Sequence, residues 1–232
     1  MKSYRNSVRT IEEQIKKIAE VFRLDPNQAL KFAERLPSLM KKDRDLYRGW
    51  YAFPKISAVA LKNFSSIINP SIQYCRAVDF VDLQLKHRRV FINELQDSLD
   101  HDHFVQTHRT SYLMEEIQKH QPGSIIIVEC QLGMINRFAS VQNARKSFKE
   151  NEFGLNSFQV LCILITHPEF LDNKNNLGVD CAGDQFSPIN EDRLFSYVPG
   201  VCINKGEVKL IKRHITDISD RFGSATGFVQ KN

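Results

Sequence analysis

The chain has no apolar stretch near the ~18 residues that a membrane-spanning helix needs, and its first ten residues are polar, without the apolar core of a secretory leader. Cysteines are few and scattered. The five of them (Cys75, Cys130, Cys162, Cys181 and Cys202) form no Cys-x-x-Cys pair and are odd in number, so neither a disulfide framework nor a zinc ribbon is expected. Reduced thiols point to the cytoplasm, or to export without a cleavable signal into another reducing compartment. There is one tryptophan, and there are no repeats or low-complexity tracts. Charge is not concentrated either. The formal net charge is +5, but Lys and Arg alternate with acids along the chain, so no nucleic-acid patch is expected.

With 42% hydrophobic and 25% charged residues in 232, the composition suits one large globular domain or two small ones. The pattern changes along the chain. Val8, Ile11, Ile15, Ile18 and Phe22 recur at helical spacing. Asp25-Pro26 then opens a second helix, with Asp25 as N-cap, Pro26 in the first turn and Gln28 completing a capping box. A charged turn, Lys41 to Asp45, leads to Leu46–Tyr51, an aromatic strand-like segment closed by Pro54. Helical spacing resumes from Ile56 to Ile68 and from Tyr74 to Leu99, the latter as one long helix or as two broken near His87–Arg89. Beyond Asp100 strands dominate. Phe104-Val105, Ile125–Val128 and Phe158–Ile165 read as strands, the last two buried on both faces. Ser111–His120 reads as a helix, Asp172–Asp184 as a long polar loop, and Leu194–Ile203 with Glu207–Ile211 as a hairpin turning at Asn204-Lys205-Gly206. The expected fold is α+β, with a helical N-terminal half packed on a mixed, largely antiparallel sheet from the C-terminal half. The expected division is an N-terminal helical segment over residues 1–45 and an α+β domain over residues 46–232, the alternative being that all of it is one domain.

Three groups of residues carry candidate chemistry. His101, His103 and His108, with Asp100 and Asp102, are metal-ligand types, but their spacing fits no strong metal signature and no metal is expected. Cys181 offers a thiol in a polar loop, open to alkylation before Cys130 and Cys162. A hydrolase would use either it or the histidines. Acidic residues near Cys181 (Asp180, Asp184, Glu191 and Asp192) lack the order of a calcium loop and read as solvated. Arg48, in Tyr47-Arg48-Gly49-Trp50, can fork two hydrogen bonds onto a phosphate, with Gly49 allowing close approach and Trp50 a stacking face. The plain alternative is an edge strand with Arg48 in solvent.

The order of these segments resembles the arginine-serine-glutamate class of mono-ADP-ribosyltransferases. Leu46-Tyr47-Arg48-Gly49 is similar to that family's first-strand motif. Phe104-Val105-Gln106-Thr107-His108, followed by a helix and Gly123–Val128, is similar to its second, although Gln106 and His108 stand where the motif has two serines, with Ser111 a nearby substitute. Lys149-Glu150-Asn151-Glu152-Phe153 resembles its Glu-x-Glu motif. A second placement is Glu191-Asp192-Arg193, where Arg193 falls at the position of the catalytic glutamate. The resemblance covers about residues 46 to 166 and implies NAD as substrate and a protein as acceptor. It implies that Glu152 stabilises the ribosyl cation, Glu150 orients the acceptor, Arg48 clamps a phosphate, and Thr107 or Ser111 supports the carboxylate. The competing reading is a non-catalytic interaction module that docks partners through its helical half. Oligomeric state is not readable from the sequence.

Overall fold

The computed structural model describes residues 9–38, 48–95, 98–171, 177–189, 191 and 194–230. Val8, the Lys41–Asp45 turn, Leu46, Tyr47, Asp192, Arg193 and the start of the expected 172–184 loop lie outside those residues.

Helix α1 (Ile11–Phe22) begins with a capping box. The Thr10 hydroxyl accepts the Glu13 N–H, and the Glu13 carboxylate accepts the Thr10 N–H. Its inner face buries Ile15, Ile18, Val21 and Phe22, and it stops at Arg23 in the left-handed conformation. Helix α2 (Asn27–Ala33) starts one position later than expected. Pro26 occupies the cap site, and Asp25 assists by accepting the Asn27 N–H at 3.0 Å. Helices α3 (Ile56–Asn63) and α4 (Pro70–Lys86) follow, the latter capped by Asn69 with Pro70 in its first turn. The chain breaks at His87–Arg89, and the next element is a strand, β2 (Phe91–Asn93), not a second helix.

The sheet is mixed and mostly antiparallel. Strand β1 (Gly49–Pro54) pairs antiparallel with the long β4 (Ile125–Arg137), and β4 pairs antiparallel with β10 (Phe222–Phe228). From β10 the order continues through β6 (Gly178–Asp180), β8 (Tyr197–Asn204) and β7 (Asp184–Phe186) to β3 (Phe104–Gln106). Strand β5 (Glu152–Gly154) pairs with β10, and β9 (Glu207–His214) joins β8 to β2. Only β10/β6 and β2/β9 are parallel among the described pairs. The β8–β9 hairpin turns at Lys205 and Gly206, both with positive φ, as a two-residue turn matching strand twist requires. Two parts of the expected loop are strands, since β6 and the start of β7 fall inside it.

The largest correction concerns Phe158–Ile165. It follows helices α5 (His108–His120) and α6 (Val141–Ser147) and is not a strand but helix α7 (Ser157–Thr166), all ten residues of which are buried. Asn156 caps it, and Gln159 closes a capping box with the Asn156 N–H. Helices α1 and α4 pack against α7, and α1 also covers β1. The helical first half thus lies on the sheet as expected, with β1 and β2 contributed to the sheet from within it.

Side chains close the sheet where strands end. Gln14 of α1 donates to the Trp50 carbonyl and accepts the Ala52 N–H, as a neighbouring strand would. Gln121 does the same for Ile127 of β4, donating and accepting at 2.7 Å. Each satisfies backbone groups that would otherwise be buried without partners. A second close fit joins β5 to the segment before β7. A Cβ on Gly183 would stand 2.3 Å from the Gly154 carbonyl oxygen, so the two backbones touch with no side chain between them.

Candidate functional site

Directly opposed residues of an antiparallel sheet point to one face. Trp50 of β1 opposes Glu129 of β4, Glu129 opposes Phe228 of β10, and Phe228 opposes Glu152 of β5. Arg48, two residues before Trp50, belongs to the same face by the two-residue strand period. Five side chains therefore share one face across four strands.

At its centre is a partly buried ion pair. Glu129 is 3% exposed, and its carboxylate accepts hydrogen bonds from the Arg48 Nε and from the Gln230 side-chain amide. The Arg48 guanidinium lies over the Phe228 ring, 4.2 Å from its centroid. An ion on one side and an aromatic face on the other fix the plane of the guanidinium, the property that distinguishes Arg from Lys as an anion ligand. Trp50 is half-buried, and its indole N–H donates to the Pro37 carbonyl at 3.0 Å.

Glu152 lies at the far end of the row, with its carboxylate accepting the Lys149 N–H at 3.1 Å across the turn. Glu150 is exposed in that turn. Thr107 caps helix α5 (His108–His120), accepting the Thr110 N–H, and Ser111 donates to the His108 carbonyl at 3.0 Å. Their hydroxyls serve the helix. The same helix nevertheless grips β5: the Thr110 hydroxyl donates to the Gly154 carbonyl at 2.9 Å, and the Arg109 Nε to the Glu152 carbonyl at 2.7 Å. The structure thus gathers Arg48, Trp50 and Glu152 on one face and places Thr107 and Ser111 on the element that clamps Glu152's strand. Glu191, by contrast, pairs with Lys212 of the β8–β9 hairpin at 3.2 Å.

Glu129 was not among the sequence candidates. Its signal was a lone carboxylate inside the apolar run Ile125–Cys130, where an ion must have a partner.

A second polar centre is wholly internal. Asp184 is 0% exposed, and its carboxylate accepts the Tyr74 hydroxyl at 2.6 Å and both the backbone N–H and hydroxyl of Ser157, the first residue of α7. Burial pushes its carboxyl up to about 7, while the Ser157 and Tyr74 donors and Arg145 pull it back. Tyr74 is raised by its own burial and then by Asp184. Cys181 belongs to this centre and is fully buried, not an accessible loop thiol. Burial, and after it Asp184, raises its thiol well above the ordinary range, the opposite of an activated nucleophile.

The histidines separate. His103 holds the Asp100 carboxylate at 2.9 Å, whereas His108 opens α5 and stacks on Tyr112. Asp100, His101 and Asp102 bring one ligand atom each within 4.8 Å of one another at the surface, an arrangement that exposed acidic groups commonly show without a metal. Among the described residues no helix is long and apolar enough to cross a membrane. No protein family, curated protein or solved structure matches this chain.

Proposed function

We propose that the protein transfers ADP-ribose from NAD to a protein acceptor, using the sheet face that carries Arg48, Trp50, Glu129 and Glu152. The observation that supports this reading is the Arg48–Glu129 pair. Glu129 and Phe228 hold the guanidinium in one plane beside the single tryptophan, and Glu152 stands on the same face. In the proposed reaction a dinucleotide phosphate binds the Arg48 guanidinium. The bond between C1′ of the ribose and the nicotinamide nitrogen breaks, with its electron pair leaving on nicotinamide. The Glu152 carboxylate stabilises the ribosyl cation. The acceptor nucleophile, positioned by Glu150, bonds to C1′ and loses its proton.

Trp50 provides the test, because it is the only tryptophan. NAD should quench its fluorescence at millimolar or lower concentration. Arg48→Lys should weaken that binding about tenfold or more although charge is kept, since an ammonium cannot reproduce the planar fork. Glu152→Gln should leave binding intact and slow acceptor labelling by about a hundredfold. Glu150→Gln should impair transfer while sparing slow NAD hydrolysis. Wild-type protein that neither binds NAD at millimolar concentration nor labels any protein in a lysate would end this reading. If Glu152→Gln is fully active and changes at Glu191 abolish activity, the other placement of the motif is correct.

The exposed Leu61 (77%), Ile68 (87%) and Leu83 (50%) on the helical half favour a second reading, a non-catalytic docking protein. Partner capture that survives Arg48→Lys and is lost on Leu61→Ser with Ile68→Ser would select it.

A further inference from the structure

About 20 Å along β1 from Arg48, by the rise of an extended strand, the chain enters a cleft of about 270 Å³ between α3, α4, α5 and the N-terminus of α7. At bulk density that is room for about nine waters, a space suited to one small ring compound. Phe53, Met114 and Phe158 supply apolar walls.

Two of the amide groups lining it are short of acceptors. Asn156, which lines the cleft, is 1% exposed, and its Oδ1 is used in capping α7, but its Nδ2 group has no acceptor among the described residues. Gln159 is also 1% exposed, and its Nε2 has only the Met114 sulfur, at 3.1 Å. A thioether is a weak acceptor. Both amides can therefore donate to a ligand in the cleft. Gln106, half-buried beside them, can both donate and accept. Charge is balanced: Lys55 spends its ammonium on the Gln118 and Gln121 carbonyls, and Glu115 stands at the exposed rim. A neutral ligand therefore fits better than an ion.

We propose that this cleft binds a small uncharged ring compound carrying a lactam or imide group. Its carbonyl oxygens would take the Asn156 and Gln159 amide protons, and its N–H would be read by Gln106. The inference does not depend on the NAD reading, and each could fail without the other.

The test uses uracil as the probe and the full isotope-labelled chain. The side-chain amide signals of Asn156 and Gln159 should shift on titration, with a dissociation constant on the order of 1 mM for so small a ligand. Benzene, a ring with neither a hydrogen-bond acceptor nor a donor, should leave them unmoved. Asn156→Ser keeps a good helix cap and removes the amide, so it should weaken uracil about tenfold. Ser57→Trp, at the exposed rim where folding is not at stake, should abolish binding. No shift at tenfold above that concentration, equal binding of benzene, or undiminished binding by a folded Asn156→Ser protein would overturn the proposal. If Asn156→Ser does not fold, Ser57→Trp decides: unchanged uracil binding refutes the cleft, and lost binding supports it.

Discussion

Replacing Asp184 by Asn should invert its effect on stability between acid and alkaline pH. Asp184 is fully buried, and its carboxyl holds its proton to about pH 7 in the fold, against 3.8 for an ordinary aspartate. An acid whose folded pKa is raised stabilises the protein fully below its unfolded pKa, and that stability is lost as pH rises through the folded value. The separation corresponds to about 4 kcal/mol, most of it lost between pH 4 and pH 8. Asn can direct its oxygen to the Ser157 N–H and hydroxyl and its amide to the Tyr74 oxygen, leaving about one hydrogen bond unmade at a cost of about 2 kcal/mol. At pH 4 the variant should be roughly 1–2 kcal/mol less stable than wild type, and at pH 8 roughly 2 kcal/mol more stable. Urea unfolding at both pH values with a constant m value measures this directly. Other titrations, such as that of Asp180, raised to about 6 by burial beside Arg213, cancel in the comparison. A variant less stable by the same margin at both pH values would show that Asp184 stays ionised when buried.

Alkylation of the native protein should label Cys202 first, because it alone of the five cysteines is not fully buried, and Cys181 should react only on unfolding. Mass mapping that finds Cys181 labelled in folded protein would refute its burial. Gly183→Ala should cost about 3 kcal/mol or more, or prevent folding, because its Cβ would meet the Gly154 backbone at 2.3 Å. Gly206→Ala should cost only about 1 kcal/mol, because its Cβ has open space and the penalty is that of a positive φ alone. Thermal melts of the two variants separate steric from conformational strain.

Elements with one wet face were legible in the sequence. The stripe of α1 and the β8–β9 hairpin needed only periodicity and turn residues. Helix α7 was misread because it has no wet face: Phe158–Ile165 is apolar apart from Gln159, so the helical period leaves no trace. Its one local mark was the Asn156–Gln159 capping box, which a strand would not need. Asp184 and Cys181 were misplaced for a related reason. A polar, glycine-containing segment looks solvated, and it is the contact of Gly183 with Gly154 and the bonds of Asp184 to Ser157 and Tyr74 that hold it in the interior beside α7. Arg48 could be singled out by its neighbours, but its partner Glu129 lies 81 residues away and becomes adjacent only through the β1–β4 register.

The Gln14 side chain, which stands in for a neighbouring strand along β1, bears on how the molecule meets other copies of itself. An open sheet edge invites another chain to add a strand, and that is how many proteins dimerise or aggregate. Here the carbonyl of Trp50 and the N–H of Ala52 are already occupied, and α1 lies across them. A strand arriving at that edge would have to displace a helix whose Ile15 and Ile18 are fully buried. The apolar face of α1 thus closes the β1 edge to an added strand while it builds the core.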